Sequence, residues 1–111
     1  MISTVQQILS KCSAKMIQDT GEFAEWLNML SSINPEVGIE IGTGSGVAGF
    51  VAVEVVPTIK QLITIDRRPN CSTIEDPRIT EVCGDTRDLQ VREKVADILG
   101  EQLVDFLFID G

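Results

Sequence analysis

The 111-residue sequence contains no histidine and only three cysteines. The missing imidazole excludes histidine-based catalytic triads, histidine metal sites and imidazole general bases from this chain. Cys12, Cys71 and Cys83 are odd in number and show no CxxC spacing, which indicates reduced thiols in a reducing compartment. None of the three is predicted to be catalytic, because no histidine is present to activate a thiolate.

Basic residues are also scarce, since 9 Lys and Arg stand against 17 Asp and Glu and give a formal net charge of −8. Binding to nucleic-acid phosphates needs clustered positive charge, so we expect no nucleic-acid partner. Polar residues interrupt the N-terminus where a signal peptide would be apolar, and no apolar run reaches transmembrane length. We therefore expect a cytoplasmic protein with no membrane partner.

The apolar residues, 43% of the chain, fall into alternating helical and strand patterns. No repeat, low-complexity tract or linker interrupts them, which predicts a single domain over residues 1–111. The predicted elements are a helix over about 3–18, a second helix capped by Asp19 or Thr20, a strand over Val37–Ile41, a helix over Val47–Val55, a strand from Leu62 that ends at Asp66, a loop over 67–78, a strand over Ile79–Cys83, a helix capped by Asp85 and stopped by Gly100, and a strand over Val104–Ile109. Strands that alternate with helices imply parallel pairing and right-handed crossovers, so the fold class is doubly wound α/β with two helices in front.

Four glycines follow the first predicted strand, at positions 42, 44, 46 and 49. Gly42 allows a sharp turn out of the strand, and Gly44 and Gly46 remove side chains where a ligand would lie against the backbone. The N-terminus of the next helix offers free N–H groups and the positive end of its dipole. This segment is therefore predicted to be the ligand-binding loop.

An acidic residue ends the second predicted strand, because Asp66 lies 22 positions after Gly44. A carboxylate in that place can accept two hydrogen bonds from a ribose diol. A glycine loop and an acidic strand end, in this order and at this spacing, favour a ligand that contains a nucleoside.

Two classes of nucleoside ligand fit this pattern. Residues 44–49 match GxGxxG, which is typical of dinucleotide sites, so a nicotinamide or flavin cofactor is one alternative. Three features favour a cationic amino-acid cofactor instead: Glu40 precedes the glycines, two helices precede the first strand, and Asp85 follows the third strand, where it could accept from an adenine amino group.

Four segments together resemble the class I S-adenosylmethionine-dependent methyltransferases. They are EIGTGSG at 40–46, ITIDRRP at 63–69, VCGDTRD at 82–88 and VDFLFIDG at 104–111. The last is most similar to the O-methyltransferase branch that includes the cephalosporin-hydroxylase-type proteins. The resemblance covers roughly residues 22–111, and its first motif is the most specific.

The resemblance implies a role for each matching residue. Glu40, Gly42 and Gly44 would line the methionine part of S-adenosylmethionine, Asp66 would hold the ribose hydroxyls, and Asp85 would lie beside the adenine. The whole cofactor-binding set implied in this way is Glu40, Gly42, Thr43, Gly44, Ser45, Gly46, Asp66, Arg67, Asp85 and Thr86.

Asp110 would face the methyl donor, which makes it the candidate catalytic residue. In metal-dependent members of the family an aspartate in this place binds a divalent cation, and its further oxygen ligands would follow Gly111. A divalent metal is accordingly an option and is not part of the predicted site.

Two departures from the family pattern bear on the architecture. Residues 67–78 are too short and proline-broken for the usual helix, so a loop would form the adenine wall. The family sheet has seven strands and this chain supplies four, which the resemblance orders 3-2-1-4. The fourth strand would then be an exposed apolar edge, which suggests a truncated fold or a homodimer through that edge.

The resemblance implies methyl transfer, with an oxygen of a small molecule as the expected acceptor. An NAD(P)-binding oxidoreductase module is the first alternative, and Arg67 beside Asp66 is compatible with NADP. A noncatalytic binding or assembly module on the same fold is the second, because fold alone does not fix function.

Overall fold

The computed structural model describes residues 20–44, 46–68 and 75–109. Their elements, in chain order, are α1 (Thr20–Ser31), β1 (Val37–Ile41), α2 (Val47–Val55), β2 (Gln61–Asp66), β3 (Ile79–Cys83), α3 (Leu89–Leu99) and β4 (Phe106–Ile109). The predicted helix over 3–18 lies outside the described residues, as does Asp19, one of the two caps proposed for the next helix. None of the helices in the described ranges is both long enough and apolar enough to cross a lipid bilayer.

The four strands form one parallel sheet in the order β3-β2-β1-β4, which confirms the predicted order. Alternate residues of a strand face opposite sides of a sheet, and this period separates two cores. Leu62 packs with α1 and α2 on one face, whereas Ile63 and Ile65 pack with α3 on the other. The predicted doubly wound α/β class is therefore confirmed.

The β4 edge is covered on one face and exposed on the other. Phe106 and Phe108 pack towards α1, where Phe108 and Trp26 have ring centroids 4.7 Å apart. Leu107 and Ile109 point to the opposite face and are 53% and 65% exposed. The chain thus leaves an apolar strand edge in contact with solvent, as the sequence predicts.

A carboxylate ties the start of β4 to the start of β1. Oδ2 of Asp105 accepts the N–H groups of Glu36 at 2.7 Å and of Val37 at 3.0 Å. These hydrogen bonds hold the pKa of Asp105 below its usual value, and the positive charge of Lys60 lowers it further. The predicted strand begins at Val104, whereas β4 begins at Phe106, so Val104 and Asp105 precede the strand.

The third helix begins later than predicted. Its N-cap position is Asp88, not Asp85, and α3 spans Leu89–Leu99, with Gly100 as the expected C-cap. The Asp85 carboxylate instead accepts the N–H of Arg87, and the Asp85 carbonyl accepts the N–H of Asp88. Residues 85–88 therefore form a turn that precedes the helix.

Candidate functional site

The glycine loop leaves β1 in a backbone conformation that favours glycine. Gly42, Gly44 and Gly46 have φ angles of +96°, +56° and +87°, a region that costs other residues about 1–2 kcal/mol each. The N–H of Gly42 donates to the carbonyl of Ile65 at 2.7 Å, which ties the loop to β2. Bare main chain therefore lies at the carboxyl ends of β1 and β2, the crevice where ligands bind in open α/β sheets.

Asp66 faces this loop. Its Oδ2 accepts the N–H of Gly44 at 3.3 Å, and its Oδ1 accepts the N–H of Arg68 at 3.0 Å. Burial alone would raise the pKa of Asp66, but the N–H groups of Arg68 and Gly44 and the Arg68 guanidinium outweigh it, so the pKa lies below its usual value. The carboxylate is ionised at neutral pH, and its two oxygens have capacity for two further donors, such as a ribose diol.

Glu40 lies on the α2 face of β1 and is only 3% exposed. It is in register with Thr64 of β2 on one side and Phe108 of β4 on the other. Helix α2 passes closely above, since a Cβ added at Gly49 would lie 3.2 Å from Glu40 Oε1 and 3.2 Å from Leu62 Cδ2. The fourth glycine of the motif therefore lets α2 pack closely on the sheet, and a buried carboxylate lies beneath the first turn of this helix. The positive end of the helix dipole favours negative charge there.

Two threonine hydroxyls are buried without a partner in the described part of the chain, one in the glycine loop and one on β2 beside Glu40. Thr43 in the loop and Thr64 on β2 are 4% and 1% exposed, and their Oγ1 atoms find no hydrogen-bond partner among the described residues. Burying a hydroxyl without a partner costs about 1–3 kcal/mol. Each hydroxyl therefore indicates a place where a polar ligand or a buried water supplies the missing partner.

The β3 end of the crevice is joined to Asp66, whose carbonyl accepts the N–H of Gly84 at 2.8 Å. Asp85 follows, and its carboxylate accepts from Arg87 Nε at 3.0 Å and from Nη2 at 2.7 Å. These bonds hold the pKa of Asp85 well below its usual range, and the Arg67 charge adds to the shift. Asp85 is thus near the expected adenine side, with its oxygens already shared with Arg87.

Of the remaining predicted site residues, the structure describes two and leaves two outside the described ranges. Thr86 is half-buried in the turn after Asp85, and the exposed Arg67 follows Asp66. Ser45 and Asp110 lie outside the described residues. Within the described ranges, no group of three or more His, Cys, Asp or Glu side chains could hold a metal ion.

Three residues near the site were missed from the sequence. One is Thr64. A polar threonine within an apolar strand, two residues before the acidic strand end, is the sequence feature that could have identified it. Arg68 approaches Asp66 through Nε at 3.5 Å. Cys83 is a free, exposed thiol in register with Asp66, and its Sγ donates to the Arg67 carbonyl at 3.7 Å. Pairing Thr64 with Glu40, or Cys83 with Asp66, needs the strand register, which the sequence alone does not give.

No family model and no curated protein sequence matches the chain. Solved structures of S-adenosylmethionine-dependent methyltransferases do match its fold. A structure of CmcI with Mg and S-adenosylmethionine is 26% identical, with a TM-score of 0.68, and the match covers 87% of this chain and 43% of CmcI. The O-methyltransferase from Bacillus cereus in complex with S-adenosylhomocysteine is 17% identical, with a TM-score of 0.65. This match covers 98% of this chain and 54% of the Bacillus cereus protein.

A third match is the methyltransferase PaMTH1 from Podospora anserina with bound S-adenosylhomocysteine. It is 17% identical, with a TM-score of 0.63, over 99% of this chain and 49% of that one. The chain therefore spans about half the length of the solved structures that it matches. The resemblance inferred from the sequence motifs is confirmed at the level of the fold.

Proposed function

We propose that this chain is the cofactor-binding part of an S-adenosylmethionine-dependent methyltransferase. The observation that carries the proposal is the hydrogen bond from the Gly44 N–H to Asp66 Oδ2, 3.3 Å long. It brings the bare loop of β1 and the acidic end of β2 to one point, as binding of an adenosyl group requires. The fold shared with methyltransferases that contain this cofactor or its product supports the same reading.

The residues present suit this cofactor. The loop has no side chain at Gly42 and Gly44, so a ligand can lie against the main chain, and Asp66 has acceptor capacity for the ribose hydroxyls. Thr43 brings a buried hydroxyl without a partner among the described residues. Glu40 supplies a buried negative charge that can attract the ammonium of the amino-acid end.

Once bound, S-adenosylmethionine supplies a methyl group activated by its sulfonium. The protein contributes by orienting the bound cofactor and shielding it from water. In this proposal Asp66 fixes the ribose, the loop fixes the amino-acid end, and Asp85 with Thr86 borders the adenine. Orientation of this kind requires no strong general base in the binding half, which agrees with the absence of histidine.

We further propose that the acceptor is an oxygen of a small molecule. Support comes from the Bacillus cereus neighbour, which is described as an O-methyltransferase. Asp110, the residue after Ile109 in the sequence, is proposed to face the transferred methyl group, since β4 lies next to β1 in the sheet.

Isothermal titration calorimetry with three ligands tests the proposal. S-adenosylmethionine and S-adenosylhomocysteine are expected to bind the 111-residue chain saturably, and NADH is expected to give no heat of binding. Binding of NADH without a response to the other two would instead support the dinucleotide alternative. Absence of binding by all three would favour the noncatalytic module.

A further inference from the structure

Thr64 is a polar residue in the most buried part of the sheet. It follows Leu62 and Ile63 and precedes Ile65, all of which are buried, and it is itself only 1% exposed. Its Oγ1 has no hydrogen-bond partner among the residues that the structure describes. Valine would fill nearly the same volume without a hydroxyl to satisfy. The hydroxyl therefore indicates a use beyond packing.

The neighbours of Thr64 identify that use. Parallel register places it directly beside Glu40, on the same face of the sheet. Phe108 flanks Glu40 on the other side and offers no hydrogen bond. The Cβ position above Gly49 is 3.2 Å from Glu40 Oε1 and 3.7 Å from Thr64 Cγ2, so the carboxylate and the threonine share one space beneath α2.

We propose that Thr64 is a positioning residue that holds the Glu40 carboxylate towards the ammonium group of the ligand. This inference rests on the proposed function. A threonine hydroxyl carries both a donor and acceptor sites, and its hydrogen turns without any backbone movement. It donates to the carboxylate through one buried water, which keeps the carboxylate of Glu40 in one orientation. Thr64 itself touches neither the sulfonium nor the adenosine.

The substitution Thr64→Val tests this role, with Thr64→Ser as the matched control that keeps the hydroxyl. Binding is measured by calorimetry with two probes: S-adenosylhomocysteine, which carries the ammonium, and 5′-methylthioadenosine, which lacks the amino-acid end. Thr64→Val is expected to weaken S-adenosylhomocysteine binding about tenfold and to leave 5′-methylthioadenosine unchanged. Thr64→Ser is expected to bind both like the wild type. Thr64→Ala, which also lacks the hydroxyl, is expected to give the same pattern as Thr64→Val.

A double-mutant cycle with Glu40→Gln shows whether Thr64 acts through Glu40. In the Glu40→Gln background, Thr64→Val is expected to cause no further loss of S-adenosylhomocysteine affinity. Equal weakening of both probes would overturn the inference, because it indicates a structural role. Wild-type affinity in Thr64→Val, or losses that add fully in the double variant, would overturn it as well. If the wild type binds neither probe, the proposed function fails first, and that result is read before any variant is compared.

Discussion

Gly44 and Gly100 both have positive φ angles, +56° and +60°, which strain residues other than glycine. A Cβ added at either position would meet nothing within 4 Å among the described residues. One lies in the glycine loop beside Asp66, and the other ends α3. An alanine at either position therefore imposes backbone strain without a collision, in the glycine loop in one case and at the end of α3 in the other.

Alanine variants of these two glycines distinguish the effect of backbone strain on stability from the effect of a lost ligand contact on affinity. Gly44→Ala is expected to lower the free energy of unfolding by roughly 1 kcal/mol, and Gly100→Ala by about 1–3 kcal/mol, as measured by urea denaturation. Only Gly44→Ala is expected to reduce affinity for S-adenosylhomocysteine, by tenfold or more, because its methyl group occupies the space that the cofactor needs. Equal affinity in the two variants would show that the ligand lies elsewhere.

Asp66 is expected to make stability depend on pH. Its pKa in the folded chain is lowered from 3.8, so its stabilising effect is complete above the unfolded pKa of about 4 and disappears as the pH falls through the lower folded value. Asp66→Asn should therefore destabilise the chain at pH 7 and change stability little near pH 2. Urea denaturation at both pH values measures this, with Asp97→Asn on the exposed face of α3 as the control. A constant difference between the two pH values would contradict the ionised hydrogen bonds.

Asp105 is expected to matter for folding and not for ligand binding. Asp105→Ala removes the acceptor for the N–H groups of Glu36 and Val37, so the unfolding midpoint at pH 7 should fall below that of Asp97→Ala. The folded pKa of Asp105 is also lowered, so this difference should shrink as the pH drops below about 3.8. Affinity for S-adenosylhomocysteine should stay unchanged, and a specific loss of affinity would link the β4 entry to the site.

The substitution Gly49→Ala tests the close packing of α2 on Glu40 by whether it raises or lowers the free energy of unfolding. Alanine in place of glycine inside a helix ordinarily stabilises by about 0.5–1 kcal/mol. At Gly49 the added methyl would press on Glu40 Oε1 and Leu62 Cδ2 at 3.2 Å, so a destabilisation of about 1–3 kcal/mol is expected instead. Ala96→Gly in exposed helix α3 gives the baseline for helix propensity. A stabilised Gly49→Ala variant would mean that α2 does not lie so close to Glu40.

The exposed edge of β4 predicts association of the 111-residue chain as a homodimer. Leu107 and Ile109 present apolar side chains on β4, the edge strand of the sheet that the described residues form. Sedimentation equilibrium is expected to show a concentration-dependent dimer, and Leu107→Lys is expected to shift it towards monomer. Lysine at exposed Leu89 of α3 is the matched control, and equal effects at both positions would argue for nonspecific association.

The strands and helices could be predicted from the sequence because each carries a clear period. Val37, Ile39 and Ile41 alternate, and the helix that follows is apolar almost throughout, as burial against a sheet requires. The meeting of Gly44 and Asp66 also followed, since carboxyl ends of adjacent parallel strands share one edge.

The sequence-based predictions were wrong or incomplete where more than one residue could take the same structural role, or where a contact depends on the strand register. Asp85 and Asp88 are both good N-cap residues, and the hydrogen bonds from Arg87 and Asp88 show that Asp85 begins a turn instead. Thr64 was not recognised because its partner, Glu40, lies 24 positions earlier, and their adjacency depends on the strand register. Spacing along the chain carries no information about that register.

The aromatic packing under β4 gives the protein an optical reporter of its own site. The chain has a single tryptophan, Trp26, whose ring lies 4.7 Å from that of Phe108. Phe108 is in turn the neighbour of Glu40 across the β1–β4 ladder. One phenyl ring therefore separates the indole from the carboxylate proposed to meet the cofactor. Intrinsic fluorescence can accordingly follow occupation of the crevice without any label.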